Sequence, residues 1–140
     1  MTTISPSIIK LLFSGKQVRF ADAKYESVSE SWVRNKMNPW FKDTLKKANL
    51  DKWRHDWDCD DFAGLYHALA RMYYAWEKKG KGSDGPAIAE VWFKQDKGGH
   101  HAINAIIIGK KAQLRFFEPQ TCRFLKLSDK ERKSIYFVRF

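Results

Sequence analysis

The sequence predicts an α+β fold, and three observations carry that prediction. Helical periodicity is confined to the first half, where its longest run covers residues 58–79. Beyond Pro86 the apolar period changes to two, with strand-like runs at 87–94, 101–108, 111–118, 123–127 and 134–140. The breaker-rich stretch Gly80-Lys-Gly-Ser-Asp-Gly-Pro86 separates the two regimes. Helices first and neighbouring strands afterwards give N-terminal helices, with a long helix packed on an antiparallel sheet.

The elements follow in order. Residues 1–27 read as short pieces ending in Phe20-Ala-Asp22-Ala-Lys-Tyr25. Ser27 or Ser29 caps a helix running to about Asn38, because a Ser side chain accepts from a free N–H of the first turn. Pro39 ends or interrupts it, since its ring crowds the preceding backbone. A second short helix takes Pro39 as its first residue and runs to Ala48. On the long helix, Cys59, Phe62, Ala63, Tyr66, Ala70 and Tyr73 recur at spacings of three and four, a stripe for the core. Gly80 stops it.

Composition bounds the classes. A chain of 140 residues is a natural single domain, 1–140, and its 44% hydrophobic content with six tryptophans excludes disorder. Two cysteines are too few for a secreted disulfide framework, no signal peptide is recognisable and no membrane-length apolar run occurs, so a reducing cytoplasm is expected. A net charge of +10 invites an acidic macromolecular partner. The basic residues are scattered over separate elements, without a recognised nucleic-acid motif.

Chemistry gathers around Asp58-Cys59-Asp60-Asp61, His100-His101-Ala-Ile-Asn104 and Phe117-Glu118-Pro-Gln120. A thiol at a helix start is activated by the helix dipole and a neighbouring imidazolium, with a carboxylate to orient the imidazole. Asp58 is a good N-cap, with Asp61 three residues on in an approximate capping box. Three anions beside Cys59 oppose a thiolate, so a cation must offset them. The candidates are protonated His101 or a divalent metal on Asp58, Asp60 or Asp61, although no cofactor is demanded by the sequence. His55 and His67 lack partners at zinc-ligand spacing.

The turn Gly109-Lys110 suits a two-residue type II′ hairpin. That register sets His101 opposite Glu118, Ile103 opposite Phe116 and Ala105 opposite Leu114, on the face expected to meet the long helix. It leaves Asn104, Ile106 and Ile108 on the more solvated face. His101, rather than His100, is then the working base. Trp57 borders the site by its nearness to Cys59.

Across about residues 20–121, the ordered combination Asp22-x-x-Tyr25, Trp57-Asp-Cys59-Asp-Asp-Phe-Ala63, Gly99-His-His101-Ala-Ile-Asn104 and Phe117-Glu118-Pro-Gln120 resembles a papain-like cysteine-protease domain. That domain stands at the C-terminus of a fungal galactose-binding agglutinin, and related stand-alone proteins come from bacteria and phages. The resemblance implies a papain-like (transglutaminase-like) fold and a Cys59, His101, Glu118 triad. It further implies a protein, peptide or amide substrate and calcium dependence. Papain-type enzymes use a Gln six residues before the Cys as an oxyanion donor, but position 53 is Trp53, so beside the Cys59 backbone N–H the second donor is unassigned, with Gln120 or Gln17 as candidates; His100 is inserted before the motif His. Asp58-Cys59 also resembles the Asp-Cys pair of NlpC-type cell-wall endopeptidases. A non-catalytic module that binds and blocks a host factor is the alternative from another class.

Overall fold

In the computed structural model, residues 1–79, 81 and 84–140 are described. Positions 80, 82 and 83 of the expected breaker loop therefore lie outside the described residues. A small sheet is formed by β1 (Thr3–Ile4), β2 (Tyr25–Glu26) and β3 (Gly85–Pro86), with β2 antiparallel to β1 and parallel to β3. Helix α1 (Pro6–Leu12) follows β1, with Ser5 as its cap and Pro6 in the first turn, where a missing N–H costs nothing.

Pro39 interrupts the next helical stretch without ending it. The chain runs from α2 (Glu30–Trp32) through a π-helical turn, Val33–Met37, directly into α3 (Asn38–Lys47). The wide turn lies just before the proline, where a regular helix would set its ring against the carbonyl four residues back. Ser29 caps the stretch by accepting from the Trp32 N–H at 3.0 Å. Helix α4 (Cys59–Lys78) ends at Lys79, whose φ of 48° is left-handed. None of the described helices is long and apolar enough to cross a membrane.

The larger sheet has the order β7-β6-β5-β4-β8, antiparallel throughout: β4 (Ile88–Lys94), β5 (His100–Ile108), β6 (Gln113–Glu118), β7 (Arg123–Leu125) and β8 (Phe137–Arg139). Mixed α+β architecture with antiparallel pairing is as expected. A short helix, α5 (Asp129–Lys133), falls where only a connection was expected. Its signal was present in Ser128-Asp-Lys-Glu131, which forms a capping box.

Two corrections concern β5. The β5–β6 turn spans four residues, with Gly109 and Ala112 both at positive φ (71° and 50°), and Ala112 N–H bonded to Gly109 C=O at 3.0 Å. Asn104 lies opposite Phe117 and Ile108 opposite Gln113, so the pairing is slid by two residues from the tight-turn register. The helix-bearing face is also the other one. Ile106, Ile108 and Phe117 pack with Phe62 and Tyr66 of α4 and with α3. Ile103, Ala105, Ile107 and Phe116 join Ile9, Phe13 and Phe140 in a second core. Both faces of β5 are covered, so its run from Ala102 to Ile108 is buried throughout. Such a strand shows no apolar-to-polar alternation from which its faces can be told apart.

Candidate active site

The start of α4 is built by its own carboxylates. The Asp61 carboxylate accepts from the Asp58 N–H at 3.0 Å, and Asp60 and Asp61 place negative charge at the positive end of the helix. Cys59 is thus the first helical residue, half-buried, with a backbone N–H of the kind that has no partner within a helix.

His101 and Glu118 meet despite the slid register. A slip of two residues preserves the face of every side chain, so the two become diagonal neighbours, still within reach of long side chains. His101 Nε2 and Glu118 Oε2 are 2.6 Å apart, and Glu118 Oε1 accepts from the Gln120 N–H at 3.1 Å. The edge of Phe93 holds the imidazole at a centroid distance of 5.9 Å. A carboxylate only accepts, so Nε2–H donates to it, and Nδ1 is the ring nitrogen on the side away from Glu118.

Cys59 reaches the sheet at the beginning of β5 rather than across its face. The Ala102 backbone N–H faces the sulfur and favours its charged form, and Cys59, Asp60, His101 and Ala102 line one cleft of about 230 Å³. Asn104 ties strand to helix at the same level, its side-chain amide donating to Ala63 C=O at 2.9 Å and to Ala89 C=O at 3.1 Å.

Electrostatics at the thiol differ from the expectation of a thiol activated by the helix dipole and an imidazolium. Burial pushes the Cys59 thiol up, and the Asp58 and Asp60 charges add to the push, while the N–H groups of Ala102 and Asp60 oppose it. The Asp60 carboxyl is itself raised to about 6, first by its hydrogen bond to the Asp58 carboxylate and then by burial. Ligand atoms of Asp58, Cys59 and Asp60 lie within 4.8 Å of one another. Among the described residues, Asp58 Oδ1 is buried with no hydrogen-bond partner. Two carboxylates with an orphaned oxygen suit a hard cation such as calcium, whereas the thiol is a soft donor outside that chemistry. Asp61 is turned toward the helix cap.

Of the other expected residues, Trp57 packs on Phe62 at 5.5 Å and Gln120 sits in the turn after β6, both outside the cleft lining. Gln17 is exposed on a loop. Cys122 donates to Pro119 C=O at 3.6 Å, and burial pushes its thiol up to about 11. The cleft also takes in His100, Trp92 and Tyr136, for which sequence reasoning had no site role. The doubling of the histidine was the available signal for His100; Tyr136 comes from the connection between α5 and β8 and had none.

No family model matches the chain, and no curated protein matches its sequence. Among solved structures, the fold is shared with chains of a fungal lectin. The PSL1a-E64 complex superposes with a TM-score of 0.68 at 16% identity, covering 99% of this chain and 50% of that one. Polyporus squamosus lectin bound to the human-type influenza-binding epitope Neu5Aca2-6Galb1-4GlcNAc gives 0.70 at 17% identity, covering 99% and 49%. The chain therefore spans about half the length of the solved chains it matches. These comparisons correct the expectation that the fold would align with papain-class cysteine proteases: the fold neighbours are lectin chains, and at 16% and 17% identity the likeness is one of fold.

Proposed function

We propose that the chain performs acyl transfer through a thioester on Cys59, with His101 as base and Glu118 as its orienting partner. The observation that carries this reading is the 2.6 Å His101–Glu118 bond beside the cleft that Cys59 shares. It leaves His101 Nδ1 as the free base. A thiol at a helix start near a strand-borne imidazole is a papain-like arrangement, which supports the reading of the fold at that finer level.

Burial raises the Cys59 thiol and so favours its protonated form at rest. Proton transfer therefore accompanies attack. His101 takes the thiol proton as sulfur bonds the acyl carbon, and the carbonyl π pair moves onto oxygen, near the Cys59 N–H. The oxyanion collapses, and the leaving group departs with the proton held by His101. Water or another acceptor, deprotonated by the same imidazole, then releases the acyl group and restores the thiol. Glu118 stabilises the imidazolium formed in both halves. Asp58 and Asp60 are the residues that would hold calcium, which when bound would neutralise two anions beside the sulfur and favour thiolate.

The test uses a small activated ester, p-nitrophenyl acetate, with peptide mapping. Acylation of Cys59 well ahead of Cys122, lost in His101→Ala, is expected; equal labelling of the two cysteines sinks the proposal. A second reading is glycan binding, favoured by the trisaccharide bound to one structural neighbour. The stacked rings of Trp40, Tyr73 and Trp76 offer apolar faces of the type sugars use. Calorimetry with that trisaccharide distinguishes this reading from acyl transfer.

A further inference from the structure

The cleft has a second wall that the proposed chemistry has not used. Tyr136 lies between α5 and β8 and is fixed there by its backbone N–H, bonded to Trp92 C=O at 3.1 Å. Its ring meets Trp92 edge-on at 6.3 Å and His100 edge-on at 5.4 Å. Its hydroxyl is 2.9 Å from His100 Nδ1. Burial pushes the Tyr136 hydroxyl up, with a smaller push from Cys59. Both side chains line the cleft together with Cys59.

Acyl transfer needs two donors for the oxyanion, and the Cys59 N–H supplies one. Gln120 is poorly placed for the second, since it lies outside the cleft lining. We infer that Tyr136 is the second oxyanion donor, with His100 as the residue that aims it. With its proton on Nδ1, His100 donates to the phenolic oxygen, which frees the Tyr136 O–H to point into the cleft. When the sulfur, its proton passing to His101, bonds the acyl carbon and the carbonyl pair moves to oxygen, that O–H donates a hydrogen bond to the new charge without giving up its proton. This gives the inserted histidine a task distinct from that of its neighbour: His101 moves the proton, and His100 positions the hydroxyl.

The inference rests on the acyl-transfer reading, so its test must separate the two. Cys59 is reacted in wild type and Tyr136→Phe with iodoacetamide, a displacement that forms no oxyanion, and with p-nitrophenyl acetate, an acylation that does. The substitution removes one oxygen from a side chain that is 52% exposed, and a thermal melt confirms the fold. Expected is an acylation rate lower by about tenfold to a hundredfold, beneath the ~10²–10³ of an enclosed donor because of that exposure. Alkylation should stay within about twofold, since the thiol and its base are untouched. A further sign is rescue in kind: His100→Gln, which keeps a donor, should lose less acylation than His100→Ala. Wild-type acylation that depends on His101 but is unchanged in Tyr136→Phe overturns this inference alone. Equal falls in both reactions also overturn it, reducing Tyr136 to a structural role. A wild-type Cys59 that is alkylated but never acylated removes the acyl-transfer reading and this inference with it.

Discussion

Replacing Glu118 by Gln tests the centre of the proposed chemistry, because it changes one charge and almost no volume. Glu118 presents Oε2 to His101 and Oε1 to the Gln120 N–H, so an amide can satisfy only one of them well. If its oxygen keeps the Gln120 bond, its NH₂ faces His101 Nε2 and drives the ring proton to Nδ1, the nitrogen required as base. If its oxygen faces His101, the tautomer survives, but the Gln120 N–H meets another donor. The charge loss is common to both. Unit charges about 4 Å apart attract by about 4 kcal/mol at an effective dielectric constant near 20. Taking about half of that for screening leaves about 2 kcal/mol, or about 30-fold in acylation rate. The wrong tautomer deepens the loss toward the ~10⁴ seen for the corresponding change in a serine protease. The assay is the p-nitrophenyl acetate burst at Cys59 on a variant whose melt shows an intact fold. An acylation rate within about threefold of wild type would refute the reasoning, because the imidazolium would then form without its carboxylate.

Three further outcomes follow from the same geometry. The Asp60 carboxyl is raised to about 6 by its hydrogen bond to Asp58 and by burial, so its ionisation costs stability once pH exceeds its unfolded value and fully above the folded one. Asp60→Asn should therefore raise Tm at pH 7.5 and leave it nearly unchanged at pH 3.5; an equal rise at both pH values would disprove the charge argument. The Cys59 alkylation rate should rise with pH through a midpoint above the ~8.5 of a free thiol, and millimolar calcium should shift that midpoint downward. A midpoint below the free-thiol value in metal-free protein contradicts the burial argument, and an unmoved midpoint in calcium, with no heat in calorimetry, removes the metal. Asn104→Ala deletes two buried hydrogen bonds that hold β5 to α4 and β4, and should cost about 2 kcal/mol in urea unfolding at about 1 kcal/mol each. A cost under about 0.5 kcal/mol would show that the strand and helix are held by apolar packing alone.

What was legible in the sequence was whatever is encoded locally. The helical period, the Asp58 and Ser29 helix starts and the switch to period two placed α4 and the main strands, because caps and periodicity act over a few residues. The pairing of His101 with Glu118 was also legible, since side-chain direction alternates every residue and survived a register slip of two. The slip itself depended on the four-residue turn at Gly109–Ala112, whose positive φ at Ala112 no residue type announces. Which face of β5 received α4 was decided only by the tertiary structure, because Ile103 and Ile107 on one side are as apolar as Ile106 and Ile108 on the other. The raised Cys59 thiol likewise comes from burial, a property of the assembled cleft and not of the neighbouring aspartates alone. Tyr136 joined Cys59 only because β8 returns beside β4, a long-range pairing whose side chains carry no local mark of their destination.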